Sequence, residues 1–428
     1  MEVVLSPSEI GGKLRAPASK SAMQRACAAA LLHAGPSRIH NPGRSNDDQV
    51  SLRIIQQLGA AVQDHGTFIE IHSHGAAQID NMPIGRLDFG ESGLSIRMFT
   101  PIAALSSREI TIDGQGSLKK RPMYFFNEVL PQLGVQVKTK SNLVPVRLQG
   151  PLRPKDITVN GSMSSQYITG LLMAYSAIAR APVSIQVRQA VSTPYIDLTL
   201  EMMKHFGLQV PRVTPDYTFY FDGDSEISGE EVEYTVEGDW SNAAFWLVAG
   251  AVLQPVQVTG LRLDSVQGDR EILEVIKRAG AIVSTENQII RVEPARLGAF
   301  EFNAKDCPDL FPPLVVLAAY CNGISRIHGV ERLKYKESNR ADSLQREFQK
   351  LGVSVHIEGN TMWVHGSERL YGADLHAHND HRIAMALSIA ALGAKSESVL
   401  YQAESVSKSY PDFYRDLKSL GANIKIIE

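Results

Sequence analysis

Cysteine is scarce in this chain: Cys27, Cys307 and Cys321 are the only three in 428 residues, and none sits in a CxxC pair. That excludes a disulfide framework, and reduced thiols in a cytoplasmic protein are expected. Long apolar runs are missing too. The longest, Asn242–Leu253 and Leu314–Cys321, fall short of the roughly 20 residues that a membrane helix needs. The opening MEVVLSPSEIGGKLRAP lacks a charged segment followed by an apolar one, so no signal peptide is expected there. Neither sign of charge dominates: 43 Lys and Arg face 46 Asp and Glu, a formal net charge of -3. This balance speaks against nucleic acid as a partner and against a solvating acidic tail. What is present is an ordinary globular mixture, 44% hydrophobic and 21% charged, with apolar residues spread evenly along the chain. Single cores stop growing beyond roughly 250–300 residues, so two or three domains are expected.

The chain repeats itself. Six helix-like segments end in glycine and run into a β-rich stretch: SLRIIQQLGAAV, FFNEVLPQLGVQV, LTLEMMKHFGLQV, ILEVIKRAGAIV, LQREFQKLGVSV and FYRDLKSLGANI. Their glycines, Gly59, Gly134, Gly207, Gly280, Gly352 and Gly421, are spaced by 69 to 75 residues. Each falls where a helix ends in a residue that tolerates positive φ. A second helix precedes each of these, short, rich in Ala and Leu and apolar on every face, as a buried helix reads. Each of these six opens near Ser, Asp or Asn, and such residues cap helix starts. The unit is therefore strand, buried helix, strand, exposed amphipathic helix, then one or two strands. Buried helices argue against a plain solenoid, because a helix apolar all round must be enclosed. Six units divide into three and three, with a boundary expected in the acidic stretch 222–237 and a matching crossover near 11–17. The expected domains are 17–236, and 1–16 plus 237–428, with a cleft between them.

Chemically distinctive residues gather at the starts of the buried helices and in adjoining loops. The first half carries Ser19, Lys20, Ser21 and Arg25, then Gly90, Gly93 and Arg97, then Lys119, Lys120 and Arg121. It continues with Ser164, Ser165 and Gln166, and with Ser192 and Tyr195. The second half carries Asp309, then Lys336, Glu337 and Arg340, then Asp380, His381 and Arg382, and finally Lys408. Helix N-termini receive anions through unpaired N–H groups, and Lys, Arg and Ser beside several of them make a site for multiply charged ligands. Taken singly, Ser165 or Asp309 reads as a simple cap. Carboxylates such as Asp309 and Glu337 in an anion site are costly unless they move protons or orient a cation. His376, His378 and His381 lack zinc-ligand spacing and read as loop histidines.

These segments resemble the 5-enolpyruvylshikimate-3-phosphate synthase family of enolpyruvyl transferases. The resemblance runs through PASKSAMQRA (17–26), GESGLSIR (90–97), LKKRP (118–122), SMSSQY (162–167) and STPYID (192–197). It goes on through VEGDWS (236–241), PDLFP (308–312), KESNR (336–340), NDHRIAMA (379–386) and SKSYPDF (407–413), covering nearly the whole chain in order. It implies an α/β fold, a two-domain inside-out α/β barrel in which each domain has three βαβαββ repeats around buried parallel helices. It also implies transfer of the enolpyruvyl group of phosphoenolpyruvate to the 5-hydroxyl of shikimate 3-phosphate, releasing phosphate through a tetrahedral intermediate. No metal or organic cofactor takes part in the family's reaction. Carried over, Ser21, Arg25, Ser164, Ser165, Gln166, Ser192, Tyr195 and Lys336 resemble shikimate 3-phosphate ligands. Arg97, Arg121, Arg340, Arg382 and Lys408 resemble the phosphoenolpyruvate clamp, with Gly93 beside it and Lys20 touching both ligands. Asp309 resembles the carboxylate that handles the 5-hydroxyl proton, and Glu337 with Lys20 the pair that gives and takes a proton at the methylene carbon.

Three positions depart from the family pattern: Glu91 where Asn is common, Thr193 where Lys is common, and Arg332 where Asn is frequent. A carboxylate at 91 could repel phosphoenolpyruvate, bind a neighbouring cation or be protonated. The rival within the class is UDP-N-acetylglucosamine enolpyruvyl transferase, which carries a reactive loop cysteine, whereas Cys27 lies inside an apolar helix. A non-catalytic scaffold such as a nucleic-acid clamp would need exposed basic helices, and a dead ligand sensor would not retain Lys20, Asp309 and Glu337. The expected partners are thus two small anions, with the protein a monomer that closes its domains on them.

Overall fold

The computed structural model describes residues 1–223 and 229–427. The chain separates into two compact units, one made of Met1–Pro17 with Glu237–Glu428 and the other of Ala18–Val236. Five residues of the acidic stretch read as a boundary, 224–228, lie outside the described residues.

Each unit holds three four-stranded sheets. The second repeat shows the pattern in its plainest form. Strand Arg86–Asp88 leads to helix Gly93–Ala103, strand Glu109–Asp113, helix Tyr124–Val129 and the strands Gln136–Lys140 and Leu143–Gln149. The first two strands are parallel, and Leu143–Gln149 lies antiparallel between Glu109–Asp113 and Gln136–Lys140. This is the βαβαββ unit expected from the sequence.

Two sheets take their first strand from elsewhere in the chain. Val232–Thr235, at the end of the acidic stretch, pairs in parallel with Pro36–His40 and completes the first repeat of the unit Ala18–Val236. Gly12–Arg15 does the same for the fourth repeat, pairing in parallel with Val256–Thr259. Glu2–Leu5 inserts between Ser398–Tyr401 and Ile424–Ile427 in the sixth. The N-terminal segment is therefore stitched into the distal half by strands in two different sheets.

The helices are buried as their composition requires. Gly93–Ala103, Phe311–Ala319 and His381–Leu392 are buried at every residue, and Trp240–Val252 at all but its last. The three buried helices of each unit touch one another, so their apolar faces are covered by each other and by the sheets. At about 1.5–3 kcal/mol for each fully buried large apolar side chain, this interior is the main favourable term. The six helix-ending glycines all adopt positive φ, between +65° and +107°, where a side chain would be strained.

Five buried helices are capped by a side chain that accepts a backbone N–H: Ser19 from Ala22, Ser92 from Ser95, Ser164 from Gln166, Asp239 from Asn242 and Asp380 from Arg382. The fifth repeat corrects the expectation of a polar cap on all six. Its helix Phe311–Ala319 follows a tight turn at Pro308–Leu310 and has no side-chain cap. Asp309 is committed to cations instead. Among the described residues, no helix is long and apolar enough to cross a membrane.

Candidate active site

In the unit Ala18–Val236 the buried helix starts meet through polar side chains. Gln24 accepts from Ser95 (2.8 Å) and Ser92 (3.3 Å), joining the first turns of helices Lys20–Leu32 and Gly93–Ala103. Arg25 is buried, and its guanidinium donates to Thr199 Oγ1 (2.9 Å), Thr169 Oγ1 (3.4 Å) and the carbonyls of Ser21 (2.9 Å) and Tyr195 (3.1 Å). All of these are neutral. Burial brings the Arg25 pKa down to about 10, and no carboxylate offsets it. An enclosed cation with only neutral partners is an unmet demand for an anion. Arg97 is buried as well. It donates to Gln166 Oε1 (2.7 Å) and lies over the Tyr167 ring, while its Nε has no partner.

Gly93 explains how two like charges come together. A methyl-sized atom added there would lie 2.5 Å from one Arg121 nitrogen and 3.2 Å from one Arg97 nitrogen. A side chain at this position would press on both guanidinium groups and push at least the Arg121 end aside. Arg121 is itself buried, unlike the exposed Lys119 and Lys120 beside it. Its loop is tied down from two sides. Tyr167 Oη donates to the Pro122 carbonyl (3.1 Å), and the Ser117 amide donates to the Glu91 carboxylate (3.0 Å). Glu91 thus serves as an acceptor for the loop that carries Arg121.

Lys20 pairs with Asp47 at 2.8 Å, both of them largely buried. Sequence reasoning missed Asp47, which reads simply as an acidic residue in a helix first turn. Ser164 and Ser165 stand at the start of helix Ser165–Ile178. Ser192 is buried with φ +51°, and Thr193 begins helix Pro194–His205 without a side-chain cap bond. Cys27 is fully buried, and burial pushes its thiol pKa well above the usual value. A reactive thiolate of the sort expected in the rival enzyme class is thereby disfavoured.

The other unit gathers cations and carboxylates in nearly equal number. Asp309 accepts from Arg340 (2.6 Å) and Lys336 (3.1 Å) through one oxygen and pairs with Arg382 (3.2 Å) through the other. Burial raises its proton affinity, but Arg382, Lys336 and Arg340 together overcome this and hold its pKa well below the carboxylate range. Arg340 also reaches Glu337 and Asp380, the latter through Nε at 2.8 Å. Burial alone would depress Arg340, yet Asp380, Glu337 and Asp309 raise its pKa. Lys336 is lowered, first by burial and then by neighbouring Arg340 and Arg332, against the pull of Asp309. Arg332, one of the departures from the family pattern, therefore lies within electrostatic reach of this group. Lys408 donates to the Asn379 carbonyl at 2.7 Å.

The partners of two further carboxylates went unread in the sequence. Asp380 was seen as a helix start and proves to be the buried counterion of Arg340. Asp269 is fully buried near Asp309, and its pKa is driven up by burial and by the Asp309 charge, with Arg382 opposing. No local spacing signals either role, because the partners are 40 or more residues away. The three histidines do not form one cluster. His378 bonds Glu347, His376 stacks on Tyr401, and His381 is buried at a helix start. Among the described residues no group of His, Cys, Asp and Glu could hold a metal ion.

Known proteins resemble this chain along its whole length. The EPSP synthase (3-phosphoshikimate 1-carboxyvinyltransferase) family profile matches residues 4–417. A 3-phosphoshikimate 1-carboxyvinyltransferase of Aeropyrum pernix is 34% identical, covering 100% of this chain and 97% of that protein. One from Clostridium novyi is 31% identical, covering 99% and 98%. Among solved structures, EPSP synthase from Acinetobacter baumannii superposes with a TM-score of 0.84 at 22% identity, over 100% of both chains. An enolpyruvyl transferase from Streptomyces tendae gives 0.77 at 19% identity, over 99% and 98%. Six βαβαββ repeats, cation-rich helix starts and this full-length likeness agree, and the chain belongs to the EPSP synthase family.

Proposed function

We propose that this protein is a 3-phosphoshikimate 1-carboxyvinyltransferase, which joins the enolpyruvyl group of phosphoenolpyruvate to the 5-hydroxyl of shikimate 3-phosphate and releases phosphate. In the first step the 5-hydroxyl oxygen bonds to C2 of phosphoenolpyruvate, loses its proton, and C3 gains one to become a methyl group. In the second, C3 gives up a proton, the C2–O bond to phosphate breaks, and the alkene returns. Protons in and out therefore balance. The reaction needs a base for the hydroxyl, an acid and base at C3, and cations for both substrates.

Asp309 is assigned the hydroxyl proton, and Glu337 with Lys20 the proton at C3. Ser21, Arg25, Ser164, Ser165, Gln166, Ser192, Tyr195 and Lys336 are assigned to shikimate 3-phosphate. Arg97, Arg121, Arg340, Arg382 and Lys408 are assigned to phosphoenolpyruvate. The observation that carries this reading is the grip of Lys336, Arg340 and Arg382 on Asp309. With those cations to itself, the carboxylate is ionised but a feeble base. Anionic substrates compete for the same cations, so binding raises its proton affinity when a base is required. Buried, unpaired Cys27, Cys307 and Cys321 suit a cytoplasmic setting, and the proposed assembly is a monomer.

The test is direct. Mixing the purified protein with shikimate 3-phosphate and phosphoenolpyruvate at millimolar concentration should release inorganic phosphate. Folded protein that releases none overturns the assignment.

A further inference from the structure

Beyond the proposed ligands lies a buried carboxylate that the reaction does not use. Glu347 is fully buried on helix Arg340–Lys350, two turns beyond Arg340 and so on the same face. One of its oxygens accepts from the His376 amide (3.0 Å) and from Lys350 (2.7 Å), and the other from His378 Nε2 (2.8 Å). Lys350 also donates to the Asp374 carbonyl at 3.1 Å. Each Glu347 oxygen thus holds part of the chain at or just beyond the end of strand Asp374–His376.

That segment has an unusual backbone. His378 and Asn379 are consecutive non-glycine residues at positive φ, +52° and +54°. Such a conformation persists where the surroundings impose it. The strained pair turns the Asn379 carbonyl to Lys408 (2.7 Å), while the Asn379 amide donates to Gln402 (3.0 Å). The next residue, Asp380, binds Arg340 and caps the Arg382 amide. Glu347 holds one side of the loop, and three groups assigned to phosphoenolpyruvate depend on the other.

We propose that Glu347, acting through His378 and the His376 amide, is the positioning residue that holds the 376–380 loop in its left-handed form and so sets Lys408 and Arg382 for phosphoenolpyruvate. This rests on the functional reading above. Glu347 is assigned to neither substrate nor to a proton step, so its removal should act first on the binding of phosphoenolpyruvate.

The experiment pairs two variants of the full chain. Glu347→Gln keeps the volume and loses one charged acceptor, and His378→Ala removes the contact at a partly exposed residue whose loss the core tolerates. In both, amide hydrogen exchange across 376–380 is expected to rise at least about tenfold, and the KM for phosphoenolpyruvate about tenfold. The KM for shikimate 3-phosphate and kcat should stay within about threefold, the pattern for lost ground-state binding. His378→Gln, which keeps a neutral donor, should restore most of the affinity. Exchange that is unchanged in both variants overturns the proposal, as does a KM increase shared equally by both substrates or a fall in kcat alone. A wild-type protein that releases no phosphate counts against the functional reading instead, and the exchange measurement still decides whether Glu347 holds the loop.

Discussion

The two units answer the same electrostatic problem in opposite ways. In Ala18–Val236, the buried guanidinium groups of Arg25 and Arg97 rest on hydroxyl, carbonyl and amide oxygens, with no carboxylate among their partners. In the other unit, Arg340 alone meets Asp309, Glu337 and Asp380. The first arrangement leaves positive charge without a carboxylate partner, which suits the proposed binding of anions. The second is neutralised in advance, so in the proposed reaction an anion would compete with a carboxylate for these cations and alter its basicity. Binding demands the former and proton transfer the latter. In the proposed assignment Asp309 and Glu337 belong to the second unit and all the shikimate 3-phosphate ligands but Lys336 to the first, while Lys20 and the clamp residues Arg340, Arg382 and Lys408 cross that division.

The largest expected effect falls on the proton-moving side. Asp309→Asn and Glu337→Gln should each cut phosphate release by about 10²–10⁴-fold, the usual worth of a positioned acid or base. Shikimate 3-phosphate binding should remain detectable by calorimetry, and its loss in both variants would recast these carboxylates as structural. Next comes a matched pair in the charge networks. Arg340→Met strands buried Asp380 beside two other carboxylates and should cost about 3–5 kcal/mol, read as a lowered urea midpoint. Arg97→Met strands only the neutral Gln166 oxygen and should cost about 1 kcal/mol or less, while weakening phosphoenolpyruvate binding. Equal losses from the two substitutions would erase the distinction between the units.

A smaller effect is expected at the loop that carries Arg121. Glu91→Ala removes the acceptor for the Ser117 amide, a loss of about 1 kcal/mol that should appear as a KM for phosphoenolpyruvate raised several-fold. A KM that falls instead would mean that the Glu91 charge repels the substrate. The subtlest test is pH. Burial pushes the pKa of Asp48 up to about 7, despite bonds from Ser45, so the folded protein binds its proton more tightly than the unfolded chain does. Its contribution should therefore weaken stability as pH rises from about 4 to about 7. Glu347 behaves in reverse: burial raises it, but His378, Lys350 and the His376 amide bring it down to about 2. Its stabilisation is present above about 4.5 and lost as pH falls toward 2. Asp48→Asn should flatten the first slope and Glu347→Gln the second, when urea midpoints are followed across pH.

Much of the fold was legible because it is written locally and six times over. Gly59 and its five counterparts mark helix ends by a backbone requirement that one residue satisfies alone. The buried helices announce themselves by having no polar face. What stayed hidden was held by distant partners. Nothing near Val232–Thr235 in sequence indicates that it completes a sheet with Pro36–His40. Asp309 reads as a cap in its own neighbourhood, and only cations 27 to 73 residues away make it a gripped carboxylate. Glu347 looks like one more acidic residue on an amphipathic helix until strand Asp374–His376 packs beside it.

The sequence by itself determined the repeat, the helix-ending glycines and the set of cation-bearing helix starts, since each depends on residues a few positions apart. Tertiary structure alone decided which charges are matched and which are left waiting, because pairing is set by distances of about 3 Å between side chains far apart in the chain. That is why scarce cysteines and a net charge of -3 could exclude whole classes of protein, yet could not reveal that Arg25 and Arg97 rest on neutral oxygens while Arg340 is met by three carboxylates.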